Sequence, residues 1–266
     1  MPISTLTIPA LDNGMLAQRP IGLTIRQLAS ANRFLDGSVL YSASGAQHIY
    51  NWTLSYENLS TAEWQRVVGF LTATQGGSES FLFLDPVGNL LAQSVNLKSS
   101  VWLAPPGLIV DLFADPGQSN AFILTNSTLQ PLTLTQTASV PGAFTTCFSL
   151  LAKWPGETSF SIGLNHETAA ASQAIRAGQW AKHHVRLSAN AAAQTRTVSI
   201  TVPPTTQIIV ASPQLEVAAA PNAYCQTGAQ SGVFPSAWLS QERFDTQSVA
   251  PGAHSITLHI ESIRSL

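Results

Sequence analysis

Tyr50-Asn51-Trp52-Thr53-Leu54-Ser55-Tyr56, then Leu59-Ser60-Thr61-Ala62-Glu63, then Phe81-Leu82-Phe83-Leu84-Asp85-Pro86 form the stretch on which the fold turns. In the first segment large apolar residues alternate with small polar ones, the period of a half-buried strand. In the second, Ser60 and Glu63 stand at the spacing of a capping box. There the hydroxyl accepts from an early helix amide and the carboxylate reaches back to the N-cap N–H. Trp64, Val67, Val68 and Leu71 follow at helical spacing and predict one apolar helix face. Gly76-Gly77 supplies the left-handed conformation that stops a helix. Phe81–Leu84 is a short apolar strand ended by Asp85-Pro86, where Asp85 is expected to accept amides of the following turn. Strand, helix, strand predicts a sheet with a helix over one face, with Trp52 and Trp64 packed between them.

A second strand of the same kind lies far away in sequence. Ser255–Glu261 alternates strictly, with Ile256, Leu258 and Ile260 on one face. Such a strand needs a sheet, and the sheet around Trp52 is the economical partner. The chain between them then reads as an insertion, which surface loops tolerate.

From about Ser99 to Thr227 helical periodicity disappears. Candidate strands are Ala121–Leu124, Leu132–Gln136, Thr145–Leu151, Ser159–Leu164, His184–Leu187, Arg196–Val202 and Gln207–Ser212. Turn residues separate them at Asp115-Pro116-Gly117, Pro141-Gly142, Trp154-Pro155-Gly156 and Pro203-Pro204. Ala169–Ala177 reads as a loop with a strand end, and Ala189–Ala193 as a tight connection. Short strands at this spacing predict a β-sandwich or jelly roll. The fold class is therefore mainly β: a β-rich base domain with one α-helix, residues 1–97 and 238–266, and an inserted jelly-roll sandwich, residues 98–237.

Composition agrees. The chain has 266 residues, of which only 10% are charged, and a net charge of −2. Soluble domains carry about 25% charged residues, so Ser, Thr, Asn and Gln must supply the polar surface. No basic stripe exists for a phosphate backbone, which excludes nucleic acid as a partner. No run of 18 apolar residues predicts a membrane span, and the start, Met1-Pro2-Ile3-Ser4-Thr5, lacks the pattern of a secretory signal. Cytosolic synthesis is the expectation. Cys147 and Cys225 are too few for a disulfide framework and are expected to be buried small hydrophobes.

Trp52 to Tyr56, Leu59-Ser60 leading into Glu63, Phe70, Gly76-Gly77, Phe81 and Asp85-Pro86 together resemble the signature of phage distal tail proteins. They also resemble the related component of gene transfer agents. The middle is similar to the jelly-roll, carbohydrate-binding-like modules that tail proteins carry at that point. Trp180-Ala181-Lys182 stands where those modules have W-x-R. Ser212-Pro213-Gln214-Leu215-Glu216 and Pro221 to Thr227 are similar to their closing Q-[LV]-E and S-x-Y-x-x-T. Lys182 and Ser212 depart from the pattern. The resemblance implies a non-enzymatic virion protein that forms a ring, usually a hexamer, at the distal tip of a tail tube. Its implied partners are copies of itself, the tail tube protein, hub or baseplate proteins, receptor-binding proteins and host surface glycans. Low charge suits such contacts, because interfaces deplete Lys and Glu.

Chemistry-bearing residues are sparse. The carboxylates are dispersed, and the pairing a glycan hydrolase needs is not legible; Asp111, Glu157 and Glu167 are the candidates. His183-His184 sit adjacent on a strand and so face opposite sides; with Asn165-His166-Glu167 they match no zinc spacing. No cofactor motif is present, and neither a cofactor nor a metal is expected. Sugar rings present apolar C–H faces to aromatic ones, which makes Trp154, Trp102 and Trp180 the carbohydrate-binding candidates. Core packing is the competing reading for each. Two other functions remain open: a stand-alone carbohydrate-binding or adhesion component of a tail fibre, and a glycan hydrolase.

Overall fold

A computed structural model describes residues 6–153, 159–166, 169–175, 179–189, 194–241 and 243–265. Its first elements are β1 (Ile21–Arg33), β2 (Val39–Leu59), α1 (Thr61–Ala73), β3 (Phe81–Leu84), β4 (Leu108–Asp115) and β5 (Gln118–Asn126). Then come β6 (Leu132–Ala138), β7 (Thr146–Lys153), β8 (Phe160–His166), β9 (Ala169–Ile175) and β10 (Ala181–Leu187). The last are β11 (Arg196–Val202), β12 (Thr206–Glu216), β13 (Val233–Leu239), β14 (Thr246–Ala250) and β15 (Ala253–Ser265). The protein is mainly β.

The chain divides into two compact units. One is Met1–Leu11, Ala17–Phe83 and Phe234–Leu266; the other is Asp12–Leu16 and Leu84–Val233. The junctions thus fall after residues 83 and 233, where the sequence suggested 97 and 237. Hydrogen bonds explain the shift. Asn89 donates Nδ2 to the Pro213 carbonyl at 2.9 Å and accepts from the Leu91 and Leu215 amides with Oδ1. Ala92 exchanges two backbone bonds with the Gln136 side chain, each 2.9 Å. These bonds tie residues 89–92 into the second unit.

In the first unit the sheet order is β1-β2-β15-β13-β3, with β14 paired to β15. The C-terminal strand does complete the sheet: Leu258 lies opposite Leu54 and Ile260 opposite Trp52. Trp52 is 1% exposed and meets Phe83 and Phe234 edge-on at 4.7 and 4.6 Å. Each such aromatic pair adds about 0.5–1.5 kcal/mol beyond burial. The capping box on Ser60 and Glu63 forms as expected. The helix face does not. Val67 and Phe70 are buried, Val68 is 39% exposed, and Phe70 packs edge-on against Phe81 at 5.0 Å. The apolar stripe is rotated toward Phe70 because β3 presents Phe81 there. Trp64 is only half-buried and stacks on His254.

The helix also ends before its glycines. Thr74 is the C-cap, and Gln75, Gly76 and Gly77 all have positive φ. Gly77 is needed for space as well: a Cβ there would lie 2.6 Å from the Leu239 carbonyl oxygen. Asp85 accepts from the Val87 amide at 3.1 Å, as expected.

The second unit is a sandwich of a five-stranded sheet, β10-β7-β12-β5-β4, and a four-stranded one, β6-β11-β8-β9. Phe122, Leu124, Phe148 and Leu150 from the first sheet, with Leu134, Ile162, Val198 and Ile200 from the second, are buried. The outward face of the four-stranded sheet is a hydroxyl ladder: Thr133 to Thr201 at 3.0 Å and Thr137 to Thr197 at 2.8 Å. This ladder shows how a chain with so few charges stays polar. Two strands of this unit, β4 and β9, escaped the sequence reading, and so did β13 of the first unit's sheet. β4 follows a proline pair, β9 is too small-residued to show period 2, and β13 contains Pro235. Cys147 is buried as expected, but Cys225 is exposed. It lies in the irregular segment after β12, with no strand face to bury its thiol.

Candidate functional site

Along β7, Phe148, Leu150 and Ala152 point into the sandwich, so Cys147, Ser149, Leu151 and Lys153 point outward. Cross-strand register then assigns the rest of the outward face. Phe113, Ala121, Ala211, Leu151 and Lys182 form one row. After a bulge in β12, Gln214, Ser149 and His184 form another, and Glu216, Cys147 and Arg186 a third.

A loop closes one end of this face. Glu216 accepts from the Gln214 side chain at 3.0 Å, the Asn222 amide at 3.0 Å and the Asn222 side chain. Gln214 also accepts from the Cys225 amide at 2.7 Å and donates to the Ala223 carbonyl at 3.1 Å. Lys182 donates to the Asn222 carbonyl. Tyr224 and Ser94 share a hydrogen bond of 2.8 Å, and Thr227 donates to the Leu91 carbonyl at 2.7 Å. The residues quoted above for the closing motif therefore act as pins for residues 217–227. Beneath them Cys147 is buried and its thiol is pushed up to about 12, first by desolvation and then by Glu216. It is not a nucleophile at neutral pH.

The other end stays more open. Ala121, Ile209 and Ala211 make a buried floor, with Phe113, Ile123, Leu151 and Trp180 packed on it. Trp180 is half-buried. Its Nε1 donates to Asp115 Oδ2 at 3.1 Å, and Lys153 Nζ lies 3.6 Å from the same oxygen. The Gly117 amide, first, and then the Trp180 indole hold the Asp115 carboxyl below its ordinary pKa. An aromatic surface beside a fixed carboxylate and an ammonium offers both stacking and hydrogen bonding.

The three tryptophan candidates separate. Trp180 is on this outward face. Trp102 is 3% exposed and donates Nε1 to the Gln93 carbonyl at 3.2 Å, so burial removes it as a stacking surface. Trp154 lies outside the described residues, as do Glu157, Glu167 and 190–193 of the Ala189–Ala193 connection. Asp115, Lys153 and Arg186 were missed. Only the Pro116-Gly117 turn signalled Asp115, and nothing local signalled the other two.

Elsewhere, His183 faces inward and His184 outward on β10. The His183 pKa is lowered, mainly by desolvation and then by His184, and its Nε2 is buried without a partner. Among the described residues no three His, Cys, Asp or Glu side chains gather as metal ligands. In the first unit an open polar groove of about 510 Å³ is lined by Ser55, Glu57, Asp245, Thr257 and His259, among others. Asp245 there is bound by Arg243 at 2.8 Å. Among the described residues no helix is long and apolar enough to cross a membrane.

No protein-family model matches the chain, and no curated protein is similar to it in sequence. Among solved structures it is similar to the enzymatically active domain of bacteriophage CBA120 tailspike protein 4, at 15% identity and a TM-score of 0.41. That match covers 50% of this chain and 22% of the tailspike chain. It is also similar to the C-terminal family 22 carbohydrate-binding module of Clostridium thermocellum Xyn10B, at 16% identity and a TM-score of 0.39, covering 51% and 98%. A third is TmCBM61 in complex with beta-1,4-galactotriose, at 15% identity and a TM-score of 0.36, covering 49% and 99%.

Proposed function

We propose that this chain is a non-enzymatic structural protein of a phage-type tail. It is a distal-tail-like adaptor that assembles as a ring at the tip of the tail tube, with the inserted sandwich contacting host surface glycans. The observation that carries the assembly reading is the free edge of the six-stranded sheet. Among the described residues β1 pairs only with β2, and it carries Leu23 and Ile25, 37% and 51% exposed, on the face of Trp52 and Tyr50. A long edge strand with exposed apolar side chains is a template for pairing with another chain. The tip of the β1–β2 hairpin adds Phe34 at 53% and Leu35 fully exposed. The motif order around Trp52 supports the same reading, and copies of the chain are the occupants proposed for this edge. Tube, hub and receptor-binding proteins are the further partners.

Light scattering over a concentration series, followed by negative-stain imaging, tests it. Rings that Leu23→Lys with Ile25→Lys abolishes are expected. A monomer that also fails to assemble on a tube or hub protein sinks the reading. The second reading, a stand-alone glycan-binding adhesion component, is favoured by Trp180 on its open face. It predicts glycan affinity in a protein that never forms rings.

A further inference from the structure

We infer that the strip from Trp180 along the outward face of β10 receives an acidic saccharide, one bearing carboxylate groups. This rests on the glycan-contact reading above and adds the ligand class. Lys182, His184 and Arg186 recur at every second residue of β10, so all three project from one side. All three are exposed. From Trp180 to Arg186 the strip runs about 20 Å at the strand rise.

The carboxylates of this face are already engaged. Among the described residues Glu216 is taken up by Gln214 and Asn222, Asp115 by Gly117, Trp180 and Lys153, and Asp111, in the row of Ile123, Ile209 and Lys153, by Lys98 at 2.9 Å. His184 and Arg186 have no hydrogen bond or ion pair among the described residues. What remains free to meet a ligand, among the described residues, is therefore the Arg186 guanidinium and the His184 imidazole. An Arg fork binds a carboxylate through two parallel bonds, and the Trp180 indole provides the apolar contact a sugar ring needs. A few cations beside one aromatic suit a saccharide better than a polynucleotide, whose affinity comes from many phosphate contacts.

The test uses the whole chain in affinity electrophoresis and calorimetry. The probes are polygalacturonate, its methyl ester, neutral galactan, dextran sulfate and a single-stranded oligonucleotide. Polygalacturonate is expected to bind best, weakening with salt, and its ester about tenfold less well for one lost charge-assisted pair. Arg186→Gln with His184→Gln should cost a similar factor without unfolding the protein, since neither side chain has a hydrogen-bond or ion-pair partner among the described residues. Trp180→Ala should remove most of the affinity. Equal affinity for the acid and its ester overturns the acidic preference and leaves glycan contact standing. No binding to any of the three polysaccharides overturns both. Dextran sulfate or oligonucleotide binding as tight as polygalacturonate means a generic polyanion surface, against the inference. Unchanged affinity in the double variant, with new aggregation, means that these side chains only protect a sheet edge.

Discussion

The indole N–H of Trp180 donates to the carboxylate of Asp115 across 3.1 Å, although the two residues flank strands at opposite edges of one sheet. The bond is made because Trp180 lies over Ala121, Ile209 and Ala211 on the middle strands. A carboxylate at the β4–β5 turn thereby orients an aromatic ring that precedes β10. Asp115→Ala is expected to lower glycan affinity by roughly tenfold, the loss of one charge-assisted bond. Asp115→Asn, which keeps an acceptor, should retain most of it. Calorimetry on both variants decides; equal loss in the two would mean that charge, not orientation, matters. Because the Asp115 pKa is depressed, this arrangement holds at neutral pH and weakens only as pH falls below about 4.

Gln136 acts as a piece of backbone, accepting from the Ala92 amide and donating to its carbonyl while 4% exposed. Gln136→Ala leaves two backbone groups unpaired, each costing about 1–3 kcal/mol. Urea denaturation should show the midpoint falling with the slope unchanged. A midpoint within error of the parent would mean that water replaces the amide.

Gly77→Ala places a methyl group against the Leu239 carbonyl at a backbone angle that L-residues avoid. A loss of about 1–3 kcal/mol is expected, read as a lower melting temperature. Gly76→Ala, with open space around it, isolates the strain from the clash.

His183 is held neutral by burial, its pKa below the ordinary 6.5. The folded state disfavours its proton, so its contribution is present above the unfolded pKa and lost as pH falls through and below about 6.5. His183→Phe, on an inward position opposite Leu150, should flatten the decline of stability between pH 7 and 5. A variant whose stability falls as steeply as the parent's would assign that decline to other groups.

The base fold was legible where local and tertiary demands coincide. Alternation around Trp52 and in Ser255–Glu261 requires a buried face, and the Ser60 and Glu63 cap acts within one turn, so both survive folding unchanged. The helix face was less legible, because the placement of Phe81 decides which stripe of α1 is covered. The closing-motif residues were visible as a pattern, but their role as loop pins came only from the structure.

By itself, then, the sequence determined the β class, the capped helix, the returning C-terminal strand and the absence of a basic stripe. These follow from side-chain period, local capping and composition, which need no distant partner. The tertiary structure alone decided that Trp102 is buried while Trp180 faces outward beside Asp115. It alone decided that Lys153 and Arg186 share that face, and that the unit boundary lies at residue 83. Each of these depends on cross-strand register between segments tens of residues apart. One residue of slip would reverse every outward side chain, and no local pattern in the chain encodes that register.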